Sequence, residues 1–229
     1  MTDQIGSFHP GRVRHAKHVG LIPDGARRWA QREGWPLEQA YLHSMELLTT
    51  VISWLFDSQV TTASVYLSSL QNFRRTAQEV SAMCNAETAF CRDMLPAVVA
   101  RHKLQVLPVG ELHVLPSTFE AELRRLQACG SPQETRTLYL CVAYCPVQEI
   151  IRAVKKVQGP ELFVQHLDMP QPIDLILRTG GANLLSNFLP LQAGFARLCI
   201  IDKLFNDLKI ADLDDALTAF AQLKRLYGE

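Results

Sequence analysis

Three short segments concentrate the side chains able to do chemistry. The first, Asp24-Gly25-Ala26-Arg27-Arg28-Trp29, sets a carboxylate, a glycine and two guanidinium groups at the opening of a helical pattern. Backbone N–H groups at a helix N-terminus attract anions and Arg forks clamp phosphate oxygens, so Gly25, Ala26, Arg27 and Arg28 suit a diphosphate. Asp24 could then hold a divalent cation that bridges the same oxygens. An aspartate cap followed by two solvated Arg is the competing reading. The second segment, Ser68-Ser69-Leu70-Gln71-Asn72-Phe73-Arg74-Arg75, offers hydroxyls, amides and paired Arg for an anion or a leaving group, although the same residue types make ordinary loops. The third runs from Arg178-Thr179-Gly180-Gly181 to Ser186-Asn187-Phe188, where the glycine pair fits a loop with its N–H groups facing an anion, or a plain flexible turn. Three Arg-bearing loops converging on one place are harder to explain as turns than any one alone.

Each of these segments follows a short apolar run. Such runs, rich in Val, Ile, Leu or Tyr, predict strands at residues 18–23, 61–67, 103–110, 138–144, 174–179 and 197–202. Helical spacing of apolar residues predicts helices at 36–56, 76–101, 117–128, 147–157 and 211–227, with Pro36 suited to a first turn and Gly130 and Gly159 to exits. Strand alternating with helix implies an α/β fold with a six-stranded parallel sheet covered on both faces. Ligands of such sheets bind at the carboxyl ends of the strands, where all three segments fall. Residues 1–17 are polar and basic and are expected to form a flexible arm, with 18–229 as a single domain.

At 229 residues the chain is long enough to close a core without disulfide or metal staples. Its 23 Lys plus Arg balance 23 Asp plus Glu, which leaves no basic excess to drive binding to nucleic acid but permits a local anion site. No apolar run is long enough to span a membrane and the opening residues lack a signal-peptide core, so the expectation is a cytoplasmic protein without stable membrane insertion. Cys84, Cys91, Cys129, Cys141, Cys145 and Cys199 lack metal-ligand spacing and are read as reduced core thiols. The seven His show no ligand spacing either, and each is expected to be satisfied or exposed. Neither a nucleophile elbow nor a Walker loop nor a dinucleotide fingerprint occurs.

In this order the loops resemble the signatures of the cis-prenyltransferase family, whose best-known members make undecaprenyl diphosphate. His18-Val19-Gly20-Leu21-Ile22-Pro23-Asp24-Gly25 with Arg28-Trp29-Ala30 is similar to the first signature, and Val65-Tyr66-Leu67-Ser68-Ser69 with Asn72, Phe73 and Arg75 to the second. Ala143-Tyr144 with Glu149-Ile150 is a weaker echo of the third, while the run from Asp174 to Gly181 with Ser186-Asn187-Phe188 is close to the fourth. The resemblance implies helices forming an apolar tunnel beside the sheet, a homodimer, and condensation of two isoprenoid diphosphates with Mg2+. It places the allylic diphosphate on Gly25, Ala26, Arg27 and Arg28, and gives Asp24 the magnesium and the ionisation of the leaving group. The acceptor diphosphate falls to Arg178 and Ser186, and Ser69, Asn72 and Arg75 lie near the reacting ends.

Five positions depart from the usual pattern. Where chain elongators carry an Asn that assists proton loss, this sequence has Ala26, which can neither accept nor relay a proton. An Arg and a His of the allylic site fall at Leu37 and Tyr41, a second diphosphate-binding Arg at Leu184, and a magnesium-holding Glu at Arg197. Arg197 reverses the local charge and is expected to replace the metal or to contact the acceptor diphosphate directly. Asp-Gly, an apolar residue, then Arg-Arg-Trp looks like the irregular branch of the family, the lavandulyl, cyclolavandulyl and isosesquilavandulyl diphosphate synthases. These join an allylic diphosphate, geranyl or dimethylallyl, to the middle of dimethylallyl diphosphate. The alternatives are a regular head-to-tail short-chain synthase using isopentenyl diphosphate, and an inactive partner subunit. Met45, Leu48, Val51, Ile52, Leu55, Met83, Phe90 and Met94 are expected along the tunnel, where a plain core stripe would have the same spacing.

Overall fold

The computed structural model describes residues 16–130, 133–159 and 162–222. Six strands form one parallel sheet: β1 (His18–Ile22), β2 (Thr62–Tyr66), β3 (Leu104–Val109), β4 (Arg136–Cys141), β5 (Leu175–Arg178) and β6 (Arg197–Ile200). Their spatial order is β3-β4-β2-β1-β5-β6. Seven α-helices occur among the described residues: α1 (Ala26–Glu33), α2 (Leu37–Asp57), α3 (Ala77–Ala89), α4 (Leu95–His102), α5 (Ser117–Cys129), α6 (Pro146–Lys156) and α7 (Ile210–Ala221).

Period-two side-chain alternation divides the sheet between two apolar layers. Val19, Leu21, Ala63, Val65, Leu138, Leu140, Leu175 and Leu177 join the larger core with Leu48, Val51, Ile52 and Leu55 of α2. The opposite face, with Ile22, Tyr66, Tyr139, Cys141 and Ile176, packs on Met169, Ile173, Phe188 and Leu189. Those four belong to connecting segments rather than to a helix, so loop residues cover much of this face. The central strand β1 pairs with β2 on one side and β5 on the other. Because the three strands run parallel and adjacent, the loops that follow them emerge side by side, which is what unites the three chemically suggestive segments.

The expected helix at 76–101 is broken. Between α3 and α4 the backbone widens into a π turn over Phe90–Met94, just ahead of Pro96 in the first turn of α4. Proline lacks an N–H and its ring crowds the carbonyl four residues earlier, so an uninterrupted α-helix cannot pass this point. The expected strand at 138–144 instead begins at Arg136 and ends at Cys141, and Ala143 takes φ +46°, which ends the extended run. Leu48, Val51, Ile52, Leu55 and Phe90 are packed into the larger core and Met94 rests against it, which is the core-stripe arrangement.

Of the arm expected at 1–17, residues 1–15 lie outside the described residues. Ala16 is buried, and the Lys17 amide donates to the Asp174 carboxylate while its carbonyl accepts from Thr61 and Thr62. The last turns of the helix expected at 211–227 also lie outside the described residues. His18 is a satisfied core histidine, with Nδ1 2.9 Å from the Pro172 carbonyl and Nε2 2.8 Å from Ser64 Oγ. Burial pushes its pKa down to about 4, so the ring is neutral at pH 7. All six cysteines are free, but only Cys84, Cys91 and Cys141 are buried; Cys129 is exposed where α5 ends, because helical phase turns it away from Leu123 and Leu126.

Candidate active site

A cavity of about 750 Å³ opens at the carboxyl ends of β1, β2 and β5. Asp24, Gly25, Ala26, Arg27, Arg28, Ser69, Asn72, Arg75, Arg178 and Ser186 all line it. Four Arg face it against two acids, Asp24 and Glu87, so the local charge is positive although the chain is neutral overall.

Gly25 fixes how the first loop enters α1. Its φ is +139°, and a Cβ there would stand 2.8 Å from Leu204 Cα and from Phe205 N. No side chain caps α1, so the first amides of the helix remain available to a ligand. Substituting Gly25→Ala is expected to destabilise the fold by at least about 2 kcal/mol, since L-residues are strained at this φ and the colliding atoms are backbone. A thermal melt that leaves the Tm of that variant unchanged would remove this constraint from the account.

Arg178 ends β5 and is only 4% exposed. It donates to Asp24 Oδ2 (2.8 Å), Ser186 Oγ (2.8 Å) and the Leu184 carbonyl (2.6 Å), while its Nε has no protein partner. Arg28 reaches Asp24 Oδ1 at 3.3 Å and donates to the Gly180 carbonyl at 2.9 Å. Arg27 pairs with Glu79 of α3 at 3.1 Å. The first and third segments are therefore tied together through Asp24. Ser186, Asn187 and Leu189 hold positive φ values of 50°, 60° and 45°, a strained backbone of the kind that packing sustains at ligand sites. That conformation holds Ser186 on Arg178 through its hydroxyl and on the Tyr66 hydroxyl through its carbonyl.

In the second segment Asn72 Oδ1 accepts from the Ser69 amide at 2.8 Å, and Arg75 donates to the Tyr41 hydroxyl at 3.2 Å. Burial raises the pKa of Tyr66 to about 12 and also raises that of Tyr41, so both phenols remain protonated donors at neutral pH. The third signature is structural in character: Tyr144 donates to the buried Glu149 at 2.5 Å, and Gln192 and the Met169 amide meet the same carboxylate.

Arg197 stands apart from this group. It opens the edge strand β6 in register with Leu175, whereas Arg178 is in register with Ile200, so within one chain Arg197 lies at the opposite end of the sheet from the cavity. Leu184 supplies a carbonyl to Arg178 in place of a second guanidinium. Leu37 packs beside Trp29, Ala30 and Ala40. Sequence reading passed over Tyr66, which sits inside a quoted motif, and Glu87, whose only signal is an acid four residues beyond Met83 on the cavity-facing side of α3.

Known proteins of similar sequence and fold give the family. Residues 22–228 match the family model described as "Putative undecaprenyl diphosphate synthase". The chain belongs to this family of cis-prenyltransferases, and it is a prenyltransferase. It is 28% identical to an isoprenyl transferase of Treponema denticola over 93% of this chain and 97% of that one. It is likewise 28% identical to the farnesyl-diphosphate-specific ditrans,polycis-undecaprenyl-diphosphate synthase of Escherichia coli strain K12, over 93% and 89% of the two chains. Among solved structures, lavandulyl diphosphate synthase from Lavandula x intermedia in complex with dimethylallyl diphosphate superposes with a TM-score of 0.87, at 26% identity over 94% of this chain and 99% of the other. A probable undecaprenyl diphosphate synthase from Campylobacter jejuni shares the fold, with a TM-score of 0.76 at 22% identity over 94% and 100%. Among the described residues no helix is long and apolar enough to cross a membrane.

Proposed function

We propose that this prenyltransferase is an irregular short-chain synthase, joining geranyl or dimethylallyl diphosphate to the middle carbon of dimethylallyl diphosphate to give a branched, lavandulyl-type diphosphate such as isosesquilavandulyl diphosphate. The observation that carries the reading is Ala26: it opens α1 at the cavity with a backbone amide to offer and no side-chain proton acceptor. The superposition of nearly the whole chain on the lavandulyl synthase bound to dimethylallyl diphosphate supports the same choice. So does the cavity, which Met45 and Met83 line, whereas Leu48, Ile52 and Phe90 are buried core outside its lining.

The allylic diphosphate rests on the amides of Gly25, Ala26, Arg27 and Arg28 with the Arg27 and Arg28 side chains on its oxygens, where the helix dipole and two cations stabilise the departing charge. Arg178 and Ser186, which line the cavity together, hold the acceptor diphosphate. Ser69, Asn72 and Arg75 orient the reacting ends. Among the described residues no cluster of three or more ligating side chains occurs, but magnesium characteristically takes one carboxylate and completes its shell with phosphate and water oxygens, which Asp24 fits. Bound there, the ion would offset negative charge on the leaving diphosphate. Val147, Ile151 and Val154 form an exposed apolar stripe on α6, and its proposed occupant is a second copy of this chain in a homodimer. Arg197, at the far end of the sheet from its own cavity, could serve a diphosphate only in a partner's site. The proposed setting is the cytoplasm.

The regular alternative draws support from the undecaprenyl synthase names among the relatives. Both diphosphate clamps speak against an inactive subunit. Diphosphate release from dimethylallyl diphosphate alone decides between the couplings: steady release supports the irregular one, and release that requires isopentenyl diphosphate defeats it.

A further inference from the structure

Glu87 lines the cavity but takes no part in either diphosphate clamp. Glu79, Met83 and Glu87 are spaced four residues apart on one side of α3. Glu79 meets Arg27 at the mouth, and at the helical rise Glu87 lies about 12 Å further along the axis. The carboxyl therefore lies along the wall away from the Arg27 contact, one turn past Met83 and beside Ser68 and Arg75 of the second loop. It is 2% exposed. The Ala143 amide donates to Ser68 Oγ at 3.2 Å, which leaves the Ser68 hydroxyl to donate to Glu87 Oε2 at 3.3 Å. Ser68 adjoins Ser69 in the second loop, so this contact anchors the acid beside the reacting ends. A buried carboxyl is costly to keep, and the Ser68 hydroxyl it accepts from would be served as well by a neutral amide.

Prenyl coupling must end with loss of a proton, and Ala26 offers no group to take it. We propose that Glu87 is the proton acceptor that completes the coupling. After the allylic C–O bond breaks and the new C–C bond forms, a tertiary cation remains on the acceptor. A C–H bond of the adjacent carbon then breaks, its electron pair forms the C=C bond that quenches the cation, and the proton moves to the Glu87 carboxylate. The neutral acid returns that proton to water when product leaves. This inference rests on the prenyl coupling proposed above.

The groups facing the acid are Arg75 and Ser68 from the loop after β2, Tyr41 from α2, and Cys84 and Cys91 on its own helical run. Burial pushes the Glu87 pKa up to about 8, against the opposing pull of Ser68 and Arg75. A base acts when ionised, so kcat/KM is expected to climb about tenfold per pH unit below this pKa and level off above it.

The test measures kcat and KM against pH for the wild type, Glu87→Gln, Glu87→Asp and Ser68→Ala, with melting temperatures for each. Glu87→Gln keeps shape and the Ser68 contact, and is expected to lose about 10²- to 10⁴-fold in kcat and the rising limb, with KM unchanged. Glu87→Asp should restore part of both. Ser68→Ala removes a donor to the carboxylate and should move the limb to higher pH, a readout that stands even if Glu87→Gln fails to fold. A folded Glu87→Gln with wild-type kcat, a limb that survives in it, or an unmoved limb in Ser68→Ala would each overturn the proposal. Product structure from the wild type is read separately: both branched and linear couplings end in proton loss, so a linear product would defeat the coupling assignment and leave the Glu87 result standing on its own.

Discussion

Asp24→Asn is expected to lower kcat by about 10³-fold while leaving the fold and KM nearly intact. The substitution preserves size and one of the two acceptor oxygens, so the amide oxygen keeps the 2.8 Å contact with buried Arg178 while the more exposed 3.3 Å contact with Arg28 is given up. What disappears is the negative charge, and with it the group that would hold a cation against the leaving diphosphate. Asp24→Ala is expected to do worse in stability as well, because Arg178 is 4% exposed and would lose its ionic partner. Steady-state kinetics beside a thermal melt separate the two effects. A fully active Asp24→Asn would show that ionisation needs neither this charge nor a metal held by it.

Arg178→Ala is expected to raise KM for the acceptor diphosphate by about 100-fold and to loosen the loop that follows β5. One guanidinium connects Asp24, the Leu184 carbonyl and Ser186 Oγ, so its loss releases all three at once. Because Ser186, Asn187 and Leu189 sit at positive φ, this loop needs outside contacts to hold its shape, and hydrogen exchange at residues 184–189 should accelerate. Asp24 is about one-third exposed, so the stability lost is a modest 1–3 kcal/mol, about what an unsatisfied polar group costs. Lys carries its donors on a single nitrogen and cannot span these acceptors as the two guanidinium nitrogens do, so Arg178→Lys should rescue little. Unchanged KM values in Arg178→Ala would move the acceptor site elsewhere.

The parts of this arrangement that were legible in the sequence are those encoded locally. Short apolar runs ending in Asp24, Ser68 and Arg178 carry both the strand and the loop chemistry in adjacent residues, and parallel pairing of β1 with β2 and β5 brings the loops together. Features that depend on distant partners were not legible. The far face of the sheet is covered by Met169, Ile173, Phe188 and Leu189, which have no periodicity of their own. Glu87 becomes meaningful only when α3 turns it toward Ser68, a residue nineteen positions away in sequence. Arg197 was read from a motif position, yet strand register puts it at the far end of the sheet within its own chain. The break at Phe90–Met94 needed no distant partner; Pro96 announced it, and the uninterrupted apolar spacing masked the signal.

The most direct measurement is the carbon skeleton of the product. Purified protein is given dimethylallyl diphosphate alone, with geranyl diphosphate, and with isopentenyl diphosphate, each with magnesium, and the dephosphorylated alcohols are identified by mass spectrometry and NMR. The account predicts a branched alcohol formed without isopentenyl diphosphate. A linear alcohol that appears only when isopentenyl diphosphate is supplied would contradict it.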